Sequence, residues 1–115
     1  MKYVRDTGAL VQIFLSEDDR YNGLRLYDAI LNLAHDLHLT GTTVLRGVEG
    51  FGASSNIHSE RNLRMAEDLP IVVEVVETRE RLEPFIEQVE VILNGANARG
   101  CISVVPSEMI HPSTS

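Results

Sequence analysis

The chain has 115 residues, a mass of 12.8 kDa and 43% hydrophobic residues, which fits one globular domain and excludes a disordered chain. Ten Lys and Arg against 17 Asp and Glu give a net charge of -7. Because a protein that binds a nucleic-acid polymer needs a basic surface, we expect no such partner. The single cysteine, Cys101, excludes an internal disulfide, and no apolar run approaches the ~18 residues of a membrane span. We therefore expect a soluble, cytoplasmic domain.

The first half of the chain is predicted to form a strand, a helix and a second strand. Residues 9–15 are apolar throughout, as in a buried strand. An amphipathic helix of about four turns follows and is ended by Thr40-Gly41; its apolar positions recur at helical spacing at Leu26, Ile30, Leu33 and Leu37. Residues 42–49 then predict a strand that leads into a glycine-rich segment.

The second half begins with a long connection. Residues 53–68 have no clear pattern, and connections of this length in a small domain are usually functional or disordered. Residues 71–76 are the strongest strand signal in the chain. A second helix is predicted after Thr78, and we expect Pro84 to delay its start or to bend it, because proline lacks a backbone donor.

A last strand is predicted over residues 101–105, and the polar residues 107–115 are expected to form a flexible C-terminal tail. The predicted order over residues 1–106 is therefore strand, helix, two strands, helix and strand. This order predicts an α+β domain with a four-stranded antiparallel sheet and both helices on one face, the ferredoxin-like split βαββαβ arrangement.

Three glycines, at positions 47, 50 and 52, lie within six residues at the end of the second strand. Glycine is unfavourable inside a strand, so these positions indicate a backbone with special requirements. Two interpretations stay open. The backbone N–H groups form an anion-binding nest to which Arg46 adds a positive charge, or the glycines only allow a twisted hairpin end with bulges.

The sequence also resembles a known family. Residues 26–30 (LYDAI), 41–52 (GTTVLRGVEGFG) and 68–76 (DLPIVVEVV) are similar to segments of the DUF190 family, which is related to the PII-like signalling proteins. The resemblance covers roughly residues 8–105. It implies a ferredoxin-like subunit, a homotrimer and a regulatory protein that binds an adenine nucleotide between subunits and has no enzymatic activity.

The resemblance also implies a ligand site. In PII proteins a Gly-Phe-Gly and a loop before the last strand line the nucleotide cleft, and they match Gly50-Phe51-Gly52 and residues 97–100. This chain lacks the PII phosphate-binding lysines, one of which corresponds to Cys101, so a ligand of lower charge than a triphosphate is favoured. The candidate ligand-binding residues are Arg46, Gly47, Gly50, Phe51, Gly52, Ala53, Ser54, Arg99 and Gly100.

Residues 53–68 match the PII signalling loop, which implies a docking element for a partner such as a membrane transporter or channel. His58, Arg61 and Arg64 make this segment cationic within an acidic chain, and we take them as candidate docking residues. The alternative is a solvated loop with a short helical turn that Ser59 caps.

Other functions fit the sequence less well. His35 and His38 have a spacing that can chelate a metal, but the four histidines are scattered and no metal site is predicted. A trimeric metal-binding protein of similar fold, like the divalent-cation tolerance proteins, is the alternative, and an adaptor that binds no ligand is a third possibility. Glu83, Glu87 and Glu90 are expected to form the solvated face of the second helix, so we expect no catalytic residues and no enzymatic activity.

Overall fold

The computed structural model describes residues 1–50, 58–59 and 69–113. It has the strands and helices of the predicted order, together with two additional pairs of short strands. In chain order the elements are β1 (Tyr3–Ser16), β2 (Arg20–Tyr21), β3 (Leu24–Arg25), α1 (Leu26–Asp36), β4 (Thr42–Arg46), β5 (Glu49–Gly50), β6 (His58–Ser59), β7 (Pro70–Thr78), α2 (Arg79–Gly95) and β8 (Cys101–Pro112).

The main sheet has four strands in the order β4-β7-β1-β8, and every neighbouring pair is antiparallel. Each of the two helices connects strands that are not neighbours in the sheet, which is the ferredoxin-like topology. The predicted fold class is therefore confirmed. The short pairs β2–β3 and β5–β6 form two separate two-stranded ribbons.

One face of the sheet carries the hydrophobic core. Alternate side chains of β1 and β7 lie on this face and pack against buried side chains of α1 and α2, because the side chains of a strand alternate between its two faces. The core members are Ala9, Val11, Ile13, Leu15, Leu26, Ile30, Ala34, Ile71, Val73, Val75, Leu82, Phe85, Val89 and Leu93. Both helices therefore cover the same face of the sheet.

The opposite face, which we call the open face, carries large hydrophobic side chains that stay exposed. Leu45 pairs with Val72 and Val72 with Phe14, so these side chains form one row across three strands. A second row contains Val76, Leu10 and Val105. Four of these side chains are more than 40% exposed, namely Phe14, Leu45, Val76 and Val105. A sheet face of this composition normally packs against another layer.

The two strands nearest the chain termini are longer than predicted. Strand β1 begins at Tyr3 and β8 continues to Pro112, with Tyr3 paired to Pro112. The prediction of a flexible tail from residue 107 is therefore wrong for residues 107–112. Pro106 does not end the strand because β8 is an edge strand and has a neighbouring strand, β1, on one side only. On the outer side of an edge strand, a residue without an N–H costs no hydrogen bond of the sheet.

Two further boundaries differ from the sequence prediction. Helix α2 begins directly at Arg79 and Pro84 lies inside it, so of the two predicted effects of Pro84, a late start or a bend, the late start is wrong. Pro84 is the sixth residue of α2 and lies beyond the first turn, so the helix lacks the hydrogen bond that an N–H at this position would donate to the carbonyl oxygen of Glu80. Strand β4 ends at Arg46 and not at residue 49, and residues 49–50 pair with residues 58–59 instead.

Within the described ranges, no helix combines the length and the apolar character that crossing a membrane requires.

Candidate functional site

The predicted ligand-binding residues that the structure describes lie at one end of the sheet. Arg46 and Gly47 are at the end of β4, and Gly100 immediately precedes β8. Arg46 pairs with Ile71 of β7, and Ile71 pairs with Leu15 of β1, so two strands separate β4 from β8. Three strand spacings correspond to about 14 Å. A single subunit therefore presents these groups on the same end of the sheet, but on its two outer strands.

Close packing explains the glycines at positions 47 and 100. A Cβ atom on Gly47 would lie 2.7 Å from Cγ of Pro70, and the Gly47 N–H donates to the carbonyl oxygen of Pro70 at 2.8 Å. A Cβ atom on Gly100 would lie 2.9 Å from the carbonyl oxygen of Phe14 and 2.8 Å from Cδ2 of Leu15. Both glycines are required by the approach of neighbouring strands whether or not a ligand binds nearby.

The predicted cation Arg46 is engaged within the chain. Its Nη2 forms an ion pair with Oε2 of Glu17, the residue that follows β1, and the Glu17 side chain is 2% exposed while that of Arg46 is 55% exposed. The Glu17 backbone is fixed as well, since its N–H donates to the carbonyl oxygen of Leu69 at 2.8 Å and its carbonyl oxygen accepts from Nη1 of Arg25 at 2.9 Å. Arg46 therefore brings no net positive charge to this end of the sheet.

Arg99 is exposed, as Arg46 is, but unlike Arg46 it forms no ion pair with the described residues. Cys101, at the start of β8, is also exposed, and it pairs with Phe14 on the open face. Of the other predicted residues, Gly50 and His58 are paired through their backbones. The remainder lie outside the described residues, namely Phe51, Gly52, Ala53, Ser54, Arg61 and Arg64.

The opposite end of the sheet contains a second buried carboxylate, that of Glu77, which is 2% exposed. Its Oε1 accepts from the backbone N–H and the hydroxyl of Thr40, both at 2.8 Å, and from Nη1 of Arg81 at 3.1 Å. Its Oε2 accepts from the Thr78 N–H at 3.0 Å. Burial raises the pKa of Glu77, but these hydrogen bonds and the charge of Arg81 together hold it below its ordinary value.

A groove of about 420 Å³ lies on the open face at the Glu77 end of the sheet, away from the predicted ligand site. Its lining includes Leu10, Thr43, Glu74, Val76 and Met109. Glu74 is engaged there by a hydrogen bond from Nε2 of Gln12 at 2.7 Å. No cluster of three or more metal-ligating side chains occurs within residues 1–50, 58–59 and 69–113.

Comparison with known proteins assigns the family. Residues 8–108 match the family DUF190, described as "Uncharacterized ACR". The chain belongs to the DUF190 family. It is 33% identical over 86 residues to a UPF0166 protein of Aquifex aeolicus, which covers 75% of this chain and 82% of the relative. It is also 27% identical over 86 residues to a UPF0166 protein of Methanocaldococcus jannaschii, covering 74% of this chain and 79% of the relative.

Solved structures share the fold of this DUF190 protein. CPII of Thiomonas intermedia, a nitrogen regulatory PII-like protein bound to ADP, AMP and bicarbonate, matches with a TM-score of 0.68 and 13% identity over 92% of this chain and 91% of CPII. A PII-like signalling protein of Thermus thermophilus matches with a TM-score of 0.65 and 13% identity over 91% of each chain. The PII-like fold and the family that the sequence analysis predicted are thus confirmed.

Sequence reasoning about the DUF190 chain missed Glu17. It lies in the acidic run Ser16-Glu17-Asp18-Asp19, which predicts only a solvated break after the first strand. The structure buries Glu17 alone in this run because its side chain continues the alternation of β1 onto the core face, beside Arg46. The alternation of β1 and the contact with Arg46, far along the chain, together distinguish Glu17 from its exposed neighbour Asp18.

Proposed function

We propose that this protein is a PII-like regulatory protein that binds a small adenine nucleotide in clefts between the subunits of a homotrimer. The observation that supports the proposal most directly is the match of nearly the whole chain to the fold of CPII, which has been solved with ADP and AMP. The expected site lies at the end of the sheet that carries Arg46, Gly47 and Gly100. The protein acts by binding and has no turnover of its own.

The open face supports the trimer. Phe14, Leu45, Val76 and Val105 are exposed on a sheet face that no element of the described chain covers. Burying this face between copies removes apolar surface from water, which is the main source of stability in such interfaces. In the assembly, the outer strands of different subunits come together, so the groups of β4 and β8 that lie about 14 Å apart in one subunit can line a shared cleft.

Control of a partner completes the proposal. Residues 53–68, with His58, Arg61 and Arg64, dock on a membrane transporter or channel, and the bound nucleotide determines whether they do so. A pull-down with the full chain and with a chain lacking residues 55–66 tests this step: the deletion abolishes capture of the partner if the segment docks. Capture that survives the deletion places the docking surface elsewhere.

The ligand is tested by thermal unfolding with AMP, ADP, ATP and cyclic AMP, and separately with Cu²⁺ and Zn²⁺. Binding to the native state raises the melting temperature, so at least one nucleotide should raise it while the metals do not. A shift with the metals alone would favour the divalent-cation tolerance type of protein. If neither set produces a shift, the protein is an adaptor that binds no small ligand of these classes.

The trimer is tested by native mass spectrometry, which should give three times the chain mass of 12.8 kDa. Leu45→Glu places a charge on the open face and should yield monomers, because a charge buried in an apolar interface is strongly unfavourable. Val91→Glu is the matched control: Val91 is 66% exposed on α2, away from the open face, and its substitution should leave the trimer intact. A monomeric wild-type chain would remove the intersubunit site.

A further inference from the structure

The Glu17 carboxylate is buried, and few ionic or hydrogen-bond partners offset the cost of removing its charge from water. Its one described ionic partner is Arg46, which is itself half exposed, and Oε1 has no hydrogen-bond partner among the residues that the structure describes. A carboxylate has about four acceptor positions, and buried carboxylates normally fill most of them. The charge of such a group contributes little to stability, because the cost of desolvation offsets the attraction to Arg46.

The position of Glu17 places its charge beside the proposed ligand site. Its side chain contacts Arg46, just before Gly47, and its backbone N–H bonds to Leu69 at 2.8 Å, so it contacts the chain on both sides of residues 51–68. Gly47 in turn bonds to the Pro70 carbonyl oxygen at 2.8 Å. These contacts fix the Glu17 carboxylate at the base of the site where the nucleotide is proposed to bind.

The charge of the pair has a direct consequence for an anionic ligand. Arg46 and Glu17 together are neutral, so a phosphate that approaches Arg46 is attracted by the guanidinium and repelled by the adjacent carboxylate. The attraction by the guanidinium and the repulsion by the carboxylate both grow with the charge of the ligand. Glu17 therefore cancels more attraction for a triphosphate than for a monophosphate.

We propose that Glu17 is a specificity-determining residue that neutralises Arg46 and thereby excludes polyphosphate ligands in favour of ligands with a single phosphate group. The proposal rests on the proposed function for the place of the ligand. Its physical basis, the engagement of Arg46 by Glu17, can be tested with inorganic anions and does not depend on a nucleotide.

The test compares the wild type with Glu17→Gln, which removes the charge but keeps the shape of the side chain. Calorimetric titration with inorganic tripolyphosphate should show binding to Glu17→Gln that is at least about tenfold tighter, because Arg46 becomes available to the anion. With AMP and ATP, the ratio of ATP affinity to AMP affinity should rise by a similar factor. A change of less than about twofold in both measurements overturns the proposal.

Two further variants identify the cause. Glu17→Gln combined with Arg46→Gln should lose the gain in tripolyphosphate affinity, because the gain depends on the released guanidinium. Glu77→Gln is the matched control, since Glu77 is an equally buried glutamate at the other end of the sheet, and it should leave anion binding unchanged. An equal gain in Glu77→Gln would show that loosening of the fold, and not the charge of Glu17, admits the anion.

If Glu17→Gln alone does not fold, the double variant without both charges is compared directly with the wild type. The two should bind tripolyphosphate within about twofold of each other, because Arg46 is neutralised in the wild type. A loss of about fivefold or more, about 1 kcal/mol, in the double variant would show that Arg46 already serves anions and would overturn the proposal. A wild type that binds tripolyphosphate weakly but no nucleotide would refute the proposed function and leave this comparison decisive for Glu17.

Discussion

The two ends of the sheet each bury one glutamate, and the two carboxylates have very different surroundings. Glu77 receives hydrogen bonds from two backbone N–H groups, one hydroxyl and one guanidinium. Glu17 has an ion pair with Arg46 alone among the described residues. A carboxylate with all its hydrogen bonds holds the surrounding elements together, whereas the charge of an incompletely paired one also acts on ions that approach it.

The two ends do not differ in the tightness of their backbone packing. At the Glu77 end, a Cβ atom on Gly8 would lie 2.6 Å from the carbonyl oxygen of Glu77. At the Glu17 end, a Cβ atom on Gly100 would lie 2.9 Å from the carbonyl oxygen of Phe14. The difference between the ends is therefore one of charge compensation, and stability measurements can separate it from packing.

The largest expected effect is that of Glu77→Ala. It removes an acceptor from the Thr40 and Thr78 N–H groups and from Arg81, so the free energy of unfolding should fall by about 3 kcal/mol, as measured by urea denaturation. Glu83→Ala is the control: Glu83 forms an exposed pair with Arg79 at 3.0 Å, and its loss should cost less than about 0.5 kcal/mol. Equal costs for the two substitutions would contradict the structural role of Glu77.

Next in size is Gly100→Ala, which tests packing at the Glu17 end. The added methyl group meets the backbone carbonyl of Phe14, which cannot move freely, and should destabilise the protein by about 2 kcal/mol. Gly41→Ala is the matched control because no atom lies within 4 Å of its Cβ position, and it should be neutral or slightly stabilising. A neutral Gly100→Ala would mean that this end of the sheet is looser than the structure shows.

The pH-dependent part of the free energy of unfolding is expected to be smaller than the loss caused by Glu77→Ala. The pKa of Glu77 is lowered in the folded protein from 4.5, so the native state binds fewer protons than the unfolded chain near that pH. The resulting stabilisation is complete above the unfolded pKa and is lost as the pH falls through the folded pKa. Urea denaturation between about pH 6 and about pH 3.5 should therefore show a shallower loss of stability in Glu77→Gln than in the wild type. An equal loss of stability with pH in the two proteins would contradict the stabilising role of the hydrogen bonds to Glu77.

The smallest expected change in stability is that of Glu17→Gln. Removal of a poorly compensated buried charge leaves Arg46, which is 55% exposed, free to be hydrated, so the free energy of unfolding should change by less than about 1 kcal/mol. Urea denaturation of this variant beside Glu77→Ala measures the contrast directly. A cost near that of Glu77→Ala would show that Glu17 is a structural anchor as well.

Most of the fold was predictable from local patterns. The apolar run at 9–15, the helical spacing from Leu26 to Leu37 and the run at 71–76 each depend on residues that are neighbours in sequence, and the structure has an element at each of them. The errors fell at boundaries. Residues 107–112 are polar and look like a tail, and they form a strand only because residues 3–8 pair with them from the other end of the chain.

The candidate site was less predictable. Arg46 and Gly100 could be named from the resemblance to a family, but their common place at one end of the sheet depends on the strand order. Glu17 could not be named at all, because an acidic residue after a strand usually faces solvent. Its burial follows from the contacts with Leu69 and Arg46, which are distant in sequence.

The sequence by itself determined the class of fold of this acidic chain of 115 residues. Its hydrophobic periodicities follow one another in a definite order, and each periodicity specifies which face of an element is buried. Tertiary structure alone decided the balance of charge at the site. Whether an arginine is available to an anion depends on the carboxylates that lie within a few ångströms of it, and the strand order, not the sequence separation, sets those distances.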